Sequence, residues 1–140
     1  MSASSNLCLA MALVYGFFGA TLAIAPSLFW GPDSPFAYWT VMDDSGEWFG
    51  HCCGIWMFFV TTSPWYAGID KTKLAKVYLP INVIILGFFI QTAFFLDTTG
   101  PGRNALLPGV NLWWTQVPIA VVLLLLNLQA VGESPKSKAK

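Results

Sequence analysis

Apolar residues occur along this chain in four long runs that are separated by polar segments. The runs cover residues 7–25, 47–63, 74–96 and 112–131. Each is close to the roughly 20 residues that a helix needs to cross a bilayer, and none alternates as a barrel strand does. Lipid cannot satisfy the backbone of an open sheet, so the pattern predicts an all-α fold, an integral membrane four-helix bundle.

Turn-forming residues separate the runs. Pro26 and Pro64 follow the first two runs, a glycine-proline turn at residues 100–102 follows the third, and Asn111 precedes the fourth as a cap. In the long loop after the first run, Ser34 and Pro35 make a good helix start. The aromatic residues that follow predict a short interfacial helix between spans one and two.

Composition agrees with a membrane protein. Only 10% of the residues are charged and 56% are hydrophobic, whereas soluble domains have about 25% charged residues. Abundant aromatic residues exclude a disordered chain, and the lack of a basic face excludes a nucleic-acid partner. Residues 1–132 are therefore predicted to be a single four-span domain, and residues 133–140 a polar, lysine-rich tail.

The few charges are sorted by side of the membrane. One side would carry both termini and all the lysines: Lys71, Lys73, Lys76, Lys136, Lys138 and Lys140. The other side would carry Arg103 and most of the acids: Asp33, Asp43, Asp44, Glu47 and Asp97. The positive-inside rule then predicts that both termini lie in the cytosol, or in the stroma or matrix of an organelle.

Aromatic residues are expected in belts at the two interfaces. The acidic-side belt would contain Trp30, Tyr38, Trp39, Trp48, Trp113 and Trp114.

His51, the only histidine, lies four residues after Glu47, and this spacing puts both side chains on one helix face. An ionisable residue inside a membrane span suggests function. A neutral imidazole can bind the metal of a haem or a chlorophyll, with Glu47 orienting it. The alternatives are a structural hydrogen bond to Glu47 or to a neighbouring helix, and proton or substrate chemistry. An enzyme would need Asp44, Glu47 and His51 to converge on one pocket.

Small residues at four-residue spacing mark helix-packing faces in the first two runs. They are Ala12, Gly16 and Ala20 in the first run, and Gly50 and Gly54 in the second. Such faces let helices approach closely in lipid, so they predict packing of spans one and two on each other or contact with another protein.

Polar groups inside the runs are few. The cysteines Cys8, Cys52 and Cys53 lack the spacing of a redox dithiol and are expected to be free thiols. The amides are expected to form hydrogen bonds between helices, and they are Asn82, Gln91, Gln116 and Asn127. A transporter is disfavoured because no charge lies at mid-membrane.

The chain resembles the small four-span DoxX-like membrane proteins. The resemblance rests on a glycine-containing first span that closes in Ala25-Pro26-x-x-Phe29, and on a second span that begins its glycine-rich part at Phe49-Gly50. It covers most of the chain and implies a four-helix bundle. Small size, aromatic richness and the lone histidine are also similar to small accessory subunits of algal photosystems and mitochondrial complexes.

These features lead to the hypothesis of a non-catalytic accessory subunit of a larger membrane complex. We expect a photosystem I–antenna supercomplex in the thylakoid membrane, with other membrane subunits and lipids as partners. Chlorophyll, bound at His51, and carotenoid would be its cofactors. The alternatives are a subunit of a mitochondrial respiratory complex, and a standalone DoxX-like redox-associated factor or small-molecule carrier.

Overall fold

The computed structural model describes residues 1–34, 38, 42–95 and 112–132, and these residues form helices and no strands. The all-α class is therefore confirmed. The helices are α1 (Ala3–Ile24), α2 (Pro26–Trp30), α3 (Asp44–Tyr66), α4 (Lys71–Phe94) and α5 (Gln116–Gly132), with a 3₁₀ turn at Leu112–Thr115 before α5. Most of the predicted interfacial helix, the turn at residues 100–102, Asn111 and the tail at residues 133–140 lie outside the described residues.

Local sequence determines where α3 and α4 begin. The carboxylate of Asp43 accepts a hydrogen bond from the backbone N–H of Gly46 at 2.7 Å, and that of Asp70 accepts one from Lys73 at 2.9 Å. Both acids are therefore N-caps, which satisfy N–H groups that have no partner within the helix. Gly68, with φ of +63°, turns the chain from α3 into α4 in a conformation that other residues rarely adopt.

The sequence predicted that the second long helix would end before Pro64, but it does not. Pro64 lies inside α3, which continues to Tyr66. Proline cannot donate the usual hydrogen bond to the carbonyl four residues earlier. In α3 that carbonyl, of Val60, instead accepts from the hydroxyl of Ser63 at 2.7 Å and from the hydroxyl of Tyr78 at 3.2 Å.

The long helices pack as two antiparallel pairs. The second half of α1, Phe17–Ile24, lies along α3, and α4 lies along α5. The first half of α1, Ala3–Met11, packs on α5 and α4 and so joins the pairs. A π-helical turn at Ala12–Gly16 separates the two halves of α1, at the place where the helix changes partners.

The described charges are segregated at the two ends of the bundle. At one end, the lysine end, α1 and α4 begin close together, with Cys8 Sγ 3.9 Å from the carbonyl oxygen of Lys71. The opposite end, the acidic end, carries Asp43, Asp44 and Glu47 at the start of α3. Asp70, which caps α4, is an acid at the lysine end.

The aromatic residues predicted for the acidic-side belt differ in their exposure. Trp30 and Tyr38 are buried, while Trp48 and Trp114 are exposed. The Trp30 ring packs edge-on against Phe18 at 4.9 Å between ring centroids, and its Nε1–H donates to Thr21 Oγ1 at 3.0 Å. Trp30 can be buried because its only polar atom, Nε1, has a hydrogen-bond partner in the buried hydroxyl of Thr21.

Three helices are long and apolar enough to cross a membrane, namely Ala3–Ile24, Lys71–Phe94 and Trp113–Gly132. They are consistent with a membrane protein. Helix α3 has 23 residues and matches them in length, but it is less apolar and is not among the three.

Candidate functional site

His51 and Glu47 both face the segment where α1 ends and α2 begins. The Nδ1 of His51 lies 2.8 Å from the carbonyl oxygen of Ala23, and a Glu47 carboxylate oxygen accepts from the hydroxyl of Ser27 at 2.8 Å. Ala23 and Ser27 are four residues apart across the break between α1 and α2, whereas Glu47 and His51 are one helical turn apart on α3. The shared face predicted by the spacing therefore exists, and each side chain binds the neighbouring segment.

The contact with Ala23 determines which nitrogen of the imidazole carries a proton. A carbonyl oxygen can only accept, so Nδ1 must be the donor. In the neutral ring Nε2 then keeps its lone pair, and it has no hydrogen-bond partner among the described residues. A backbone carbonyl that fixes Nδ1–H is the usual support for a histidine that binds a metal through Nε2.

The surface around His51 is apolar and accessible. Trp48 precedes it by three residues and Ile55 follows it by four, and their side chains are 67% and 49% exposed. His51 itself is half-buried between them. A flat apolar ligand that bound Nε2 would find these two side chains one turn away on either side.

The glycines predicted to pack spans one and two lie at the α1/α3 contact. A Cβ atom added to Gly54 would stand 2.7 Å from the carbonyl oxygen of Gly19, and one added to Gly50 would stand 2.9 Å from Pro26. One added to Gly16 would be 3.3 Å from Thr61 Oγ1.

The closest approach on the α1 side involves Gly19, a residue that the sequence analysis did not single out. A Cβ atom there would be 2.5 Å from the backbone nitrogen of Phe58. Ala20 lies beside α3 in a shallow surface depression, and Ala12 lies in the π-helical turn. Residues spaced by three and four, Gly16, Gly19 and Ala23, form the contact, and this spacing in the sequence could have revealed Gly19.

A polar cluster joins α4 and α5. Asn82 donates from Nδ2 to Asn127 Oδ1 at 2.8 Å, and Asn127 donates from Nδ2 to the carbonyl oxygen of Ala75 at 2.7 Å. Both asparagines are buried, and Asn82 Oδ1 has no partner among the described residues. The predicted interhelical hydrogen bonds therefore exist for this pair, whereas Gln91 is exposed.

A cavity of about 500 Å³ lies between the α1/α3 pair and the α4/α5 pair. Its walls are mostly aromatic and include Tyr15, Phe18, Trp30, Phe89 and Trp113. The ring of Tyr38 contacts those of Trp30 and Trp113 at 5.3 and 4.8 Å, and Trp113 contacts Phe89 at 5.9 Å. This chain of rings crosses from one helix pair to the other.

The polar atoms of the lining side chains are buried in the protein and are not exposed to the cavity. Gln116 Nε2 donates to the hydroxyl of Tyr38, which also lies 3.3 Å from Thr115 Oγ1. Gln116 and Tyr15 are 5% and 3% exposed, and both line the cavity. The remaining amide oxygen of Gln116 and the hydroxyl of Tyr15 are buried without a hydrogen-bond partner in the described part of the chain.

The predicted site residues and this cavity are separate features. Cys53 lines the cavity, but Asp44, Glu47, His51 and Cys52 do not. All three cysteines are free thiols, as expected from their spacing. Across the described ranges, no three His, Cys, Asp or Glu side chains are grouped so that they could hold a metal ion.

Comparison of the chain with protein-family models, with curated proteins and with solved structures found no match.

Proposed function

We propose that all four long helices cross the bilayer, so that α3 is the fourth span. Its 23 residues would extend about 34 Å at 1.5 Å per residue, enough for a hydrocarbon core of about 30 Å. The charges of α3, Asp44 and Glu47, lie in its first turn. Exposed Ile55, Trp56 and Phe59 would face lipid at its centre.

The polar residues that lower the apolarity of α3 have partners inside the protein. The hydroxyls of Thr61 and Thr62 donate to backbone carbonyls one turn earlier, at 2.8 and 2.7 Å. Glu47 and His51 bind α2 and α1 through the hydrogen bonds already described. A polar group that is already paired costs far less to bury in lipid than an unpaired one, which supports a spanning α3.

We propose further that the protein is a non-catalytic subunit that holds a tetrapyrrole at His51 in a pigment-containing membrane complex, such as a photosynthetic supercomplex. The observation that carries this proposal is the hydrogen bond from Nδ1 to Ala23, which leaves Nε2 as a ligand atom beside Trp48 and Ile55. His51 would hold a chlorophyll by giving this nitrogen to its magnesium. The chain itself orients the imidazole and supplies an apolar surface for the macrocycle.

Two substitutions distinguish the roles of the two ring nitrogens of His51. His51→Asn places an amide nitrogen near the position of Nδ1, so it keeps the bond to Ala23 and removes the ligand atom. His51→Gln reaches the position of Nε2 and gives up the bond to Ala23. The complex is solubilised gently from its native membrane, separated on a native gel and examined by absorption spectroscopy.

We expect the wild-type chain to migrate in a pigmented complex. His51→Asn should remain in that complex and lose one tetrapyrrole, while His51→Gln should retain part of the tetrapyrrole signal. Cys52→Ser, at the adjacent position, is the matched control and should change neither the migration of the complex nor its tetrapyrrole content. Migration of the wild-type chain alone, or an unchanged pigment content in His51→Asn, would contradict the proposal.

A further inference from the structure

The aromatic cavity opens sideways between α3 and α4. Near the lysine end these helices are linked by the hydrogen bond from Tyr78 to the carbonyl oxygen of Val60. Towards the acidic end they diverge, and the cavity occupies the space between them. Phe49 of α3 and Phe88 of α4 line the cavity and are themselves 64% and 60% exposed. A ligand can therefore enter between these two rings from the apolar surroundings of the protein.

The surface that the cavity offers to a ligand is entirely apolar. Tyr15 and Gln116 line the cavity, but the hydroxyl of Tyr15 and the amide oxygen of Gln116 are buried behind the wall and do not reach it. A polar group on a ligand would give up its hydrogen bonds on entering and would find no replacement. The cavity therefore excludes polar substituents and accepts hydrocarbon.

The aromatic rings of the wall are held in place by hydrogen bonds on their far side. Trp30 donates to the hydroxyl of Thr21, and Tyr38 accepts from the amide of Gln116. Side chains that are already ordered lose little entropy when a ligand binds, so the cavity is preorganised. Its volume, about 500 Å³, is in the range of small-molecule sites.

The π-helical turn of α1 contributes to the same wall. Tyr15 lies within this turn, at Ala12–Gly16, and its side chain lines the cavity. Turns of this kind are rare inside α-helices and occur frequently at functional sites. The interruption of α1 thus coincides with the cavity, which is a second, independent indication that the cavity is a binding site.

Hydrocarbon chains of the surrounding lipid compete with any ligand for this space. Empty space would forfeit dispersion contacts along the wall, so either a chain or a ligand fills the cavity. Hydrophobicity does not distinguish the two, because lipid chains are as apolar as the ligand. A rigid, unsaturated ring has an advantage over a flexible chain. It loses less conformational freedom on binding, and its face and edges complement those of the aromatic walls.

We infer that this cavity binds a rigid, unsaturated hydrocarbon ring that carries no polar group. The ring lies between the two helix pairs and packs against the aromatic walls, and any hydrocarbon extension leaves between Phe49 and Phe88. The site is separate from His51 and does not depend on the function proposed for that residue.

The test uses the full chain purified in detergent and immobilised, with tritiated anthracene as the probe in a scintillation proximity assay. The competitors are perhydroanthracene, which is fully saturated, and 2-anthrol, which carries a hydroxyl group. Each concentration is corrected for partition into protein-free detergent. We expect perhydroanthracene to bind about three- to tenfold more weakly than anthracene, because it makes no aromatic contacts. We expect 2-anthrol to bind about tenfold more weakly, because its hydroxyl finds no partner.

Two variants of α4 test the place of binding and the role of the rings. Ile85 lines the cavity, so Ile85→Trp should fill it and abolish anthracene binding. Ile84→Trp is the matched control, because Ile84 is exposed and outside the wall, and it should bind as the wild type does. Phe89→Leu removes one ring from the wall and should reduce the preference for anthracene over perhydroanthracene several-fold. Phe94→Leu, at an exposed position outside the wall, should leave that preference unchanged.

Equal affinity of the wild type for anthracene and perhydroanthracene would overturn the inference, because the aromatic walls would then not select an unsaturated ring. Equal affinity for anthracene and 2-anthrol would also overturn it, since the cavity would then admit a polar group. Failure of the wild type to bind anthracene, or undiminished binding in Ile85→Trp, would do the same. The comparison of competitors on the wild type decides the question even if a variant fails to fold.

Discussion

Single polar side chains inside the bundle have specific structural roles that follow from the cost of an unpaired group in an apolar surrounding. Asn127 is the clearest case, since it accepts from Asn82 and donates to the carbonyl oxygen of Ala75. Its two hydrogen bonds connect two helices at a fully buried position. Replacing Asn127 would destabilise the protein mainly because its buried partner groups would be left without a hydrogen bond.

We predict that Asn127→Leu lowers the free energy of unfolding by about 1–3 kcal/mol, because the Asn82 amide would lose its acceptor. The double variant Asn82→Leu/Asn127→Leu should be less destabilised than Asn127→Leu alone, since no unpaired amide remains. Denaturation of the purified protein in mixed micelles measures both. Gln91→Leu, on the exposed face of α4, serves as the control. A double variant less stable than the single one would show that the pair does not act through its hydrogen bonds.

The role of His51 was only partly accessible from sequence. The spacing of Glu47 and His51 correctly put them on one face, yet it could not identify Ser27 and Ala23 as their partners. Those partners are 20 and 28 residues away along the chain. Their position depends on the packing of α1 on α3, which local spacing does not encode.

At the scale of helices, the α1/α3 contact has no room for a side chain at two of its glycines. Gly19 and Gly54 bring the two backbones so close that an added methyl group on either would meet main-chain atoms. Main-chain atoms cannot move aside as a flexible side chain can. The helices would have to separate, and dispersion contacts along the whole interface would weaken.

We predict that Gly54→Ala lowers the free energy of unfolding by about 1–3 kcal/mol through this overpacking. Gly87→Ala is the matched control, since a Cβ atom at Gly87 of α4 would meet nothing within 4 Å. Alanine there should be neutral or raise stability by up to about 1 kcal/mol, because alanine favours a helix over glycine. Thermal unfolding followed by circular dichroism compares the two variants. Equal losses in both would argue against close packing at Gly54.

At the scale of the whole molecule, the described lysines lie at one end of the bundle, and the acids at the start of α3 lie at the other. The acids at the start of α3 and the lysines at the start of α4 are separated by the full length of α3. If α3 crosses the bilayer, these two groups face different compartments. The lysine end is then expected on the cytosolic, stromal or matrix side.

Single cysteines placed at the two ends of α3 test this topology. Asp44→Cys and Lys73→Cys are made in a chain whose native cysteines are replaced, and a membrane-impermeant maleimide is applied to sealed vesicles of known orientation. We expect labelling of position 44 from the side opposite the cytosol, and of position 73 only after permeabilisation. Labelling of both from one side would mean that α3 does not cross, and the reverse pattern would invert the orientation.

By itself the sequence determined the helical class, the approximate extent of the four long helices and the segregation of charge, because these depend on hydrophobicity and periodicity within each segment. Only the tertiary structure decided which side chains meet: Gly19 with Phe58, Asn82 with Asn127, and Tyr38 with Gln116. The inward position of Trp30 and the aromatic cavity were also decided there. Such contacts join residues from different helices, and their geometry follows from how the helices pack and where they diverge.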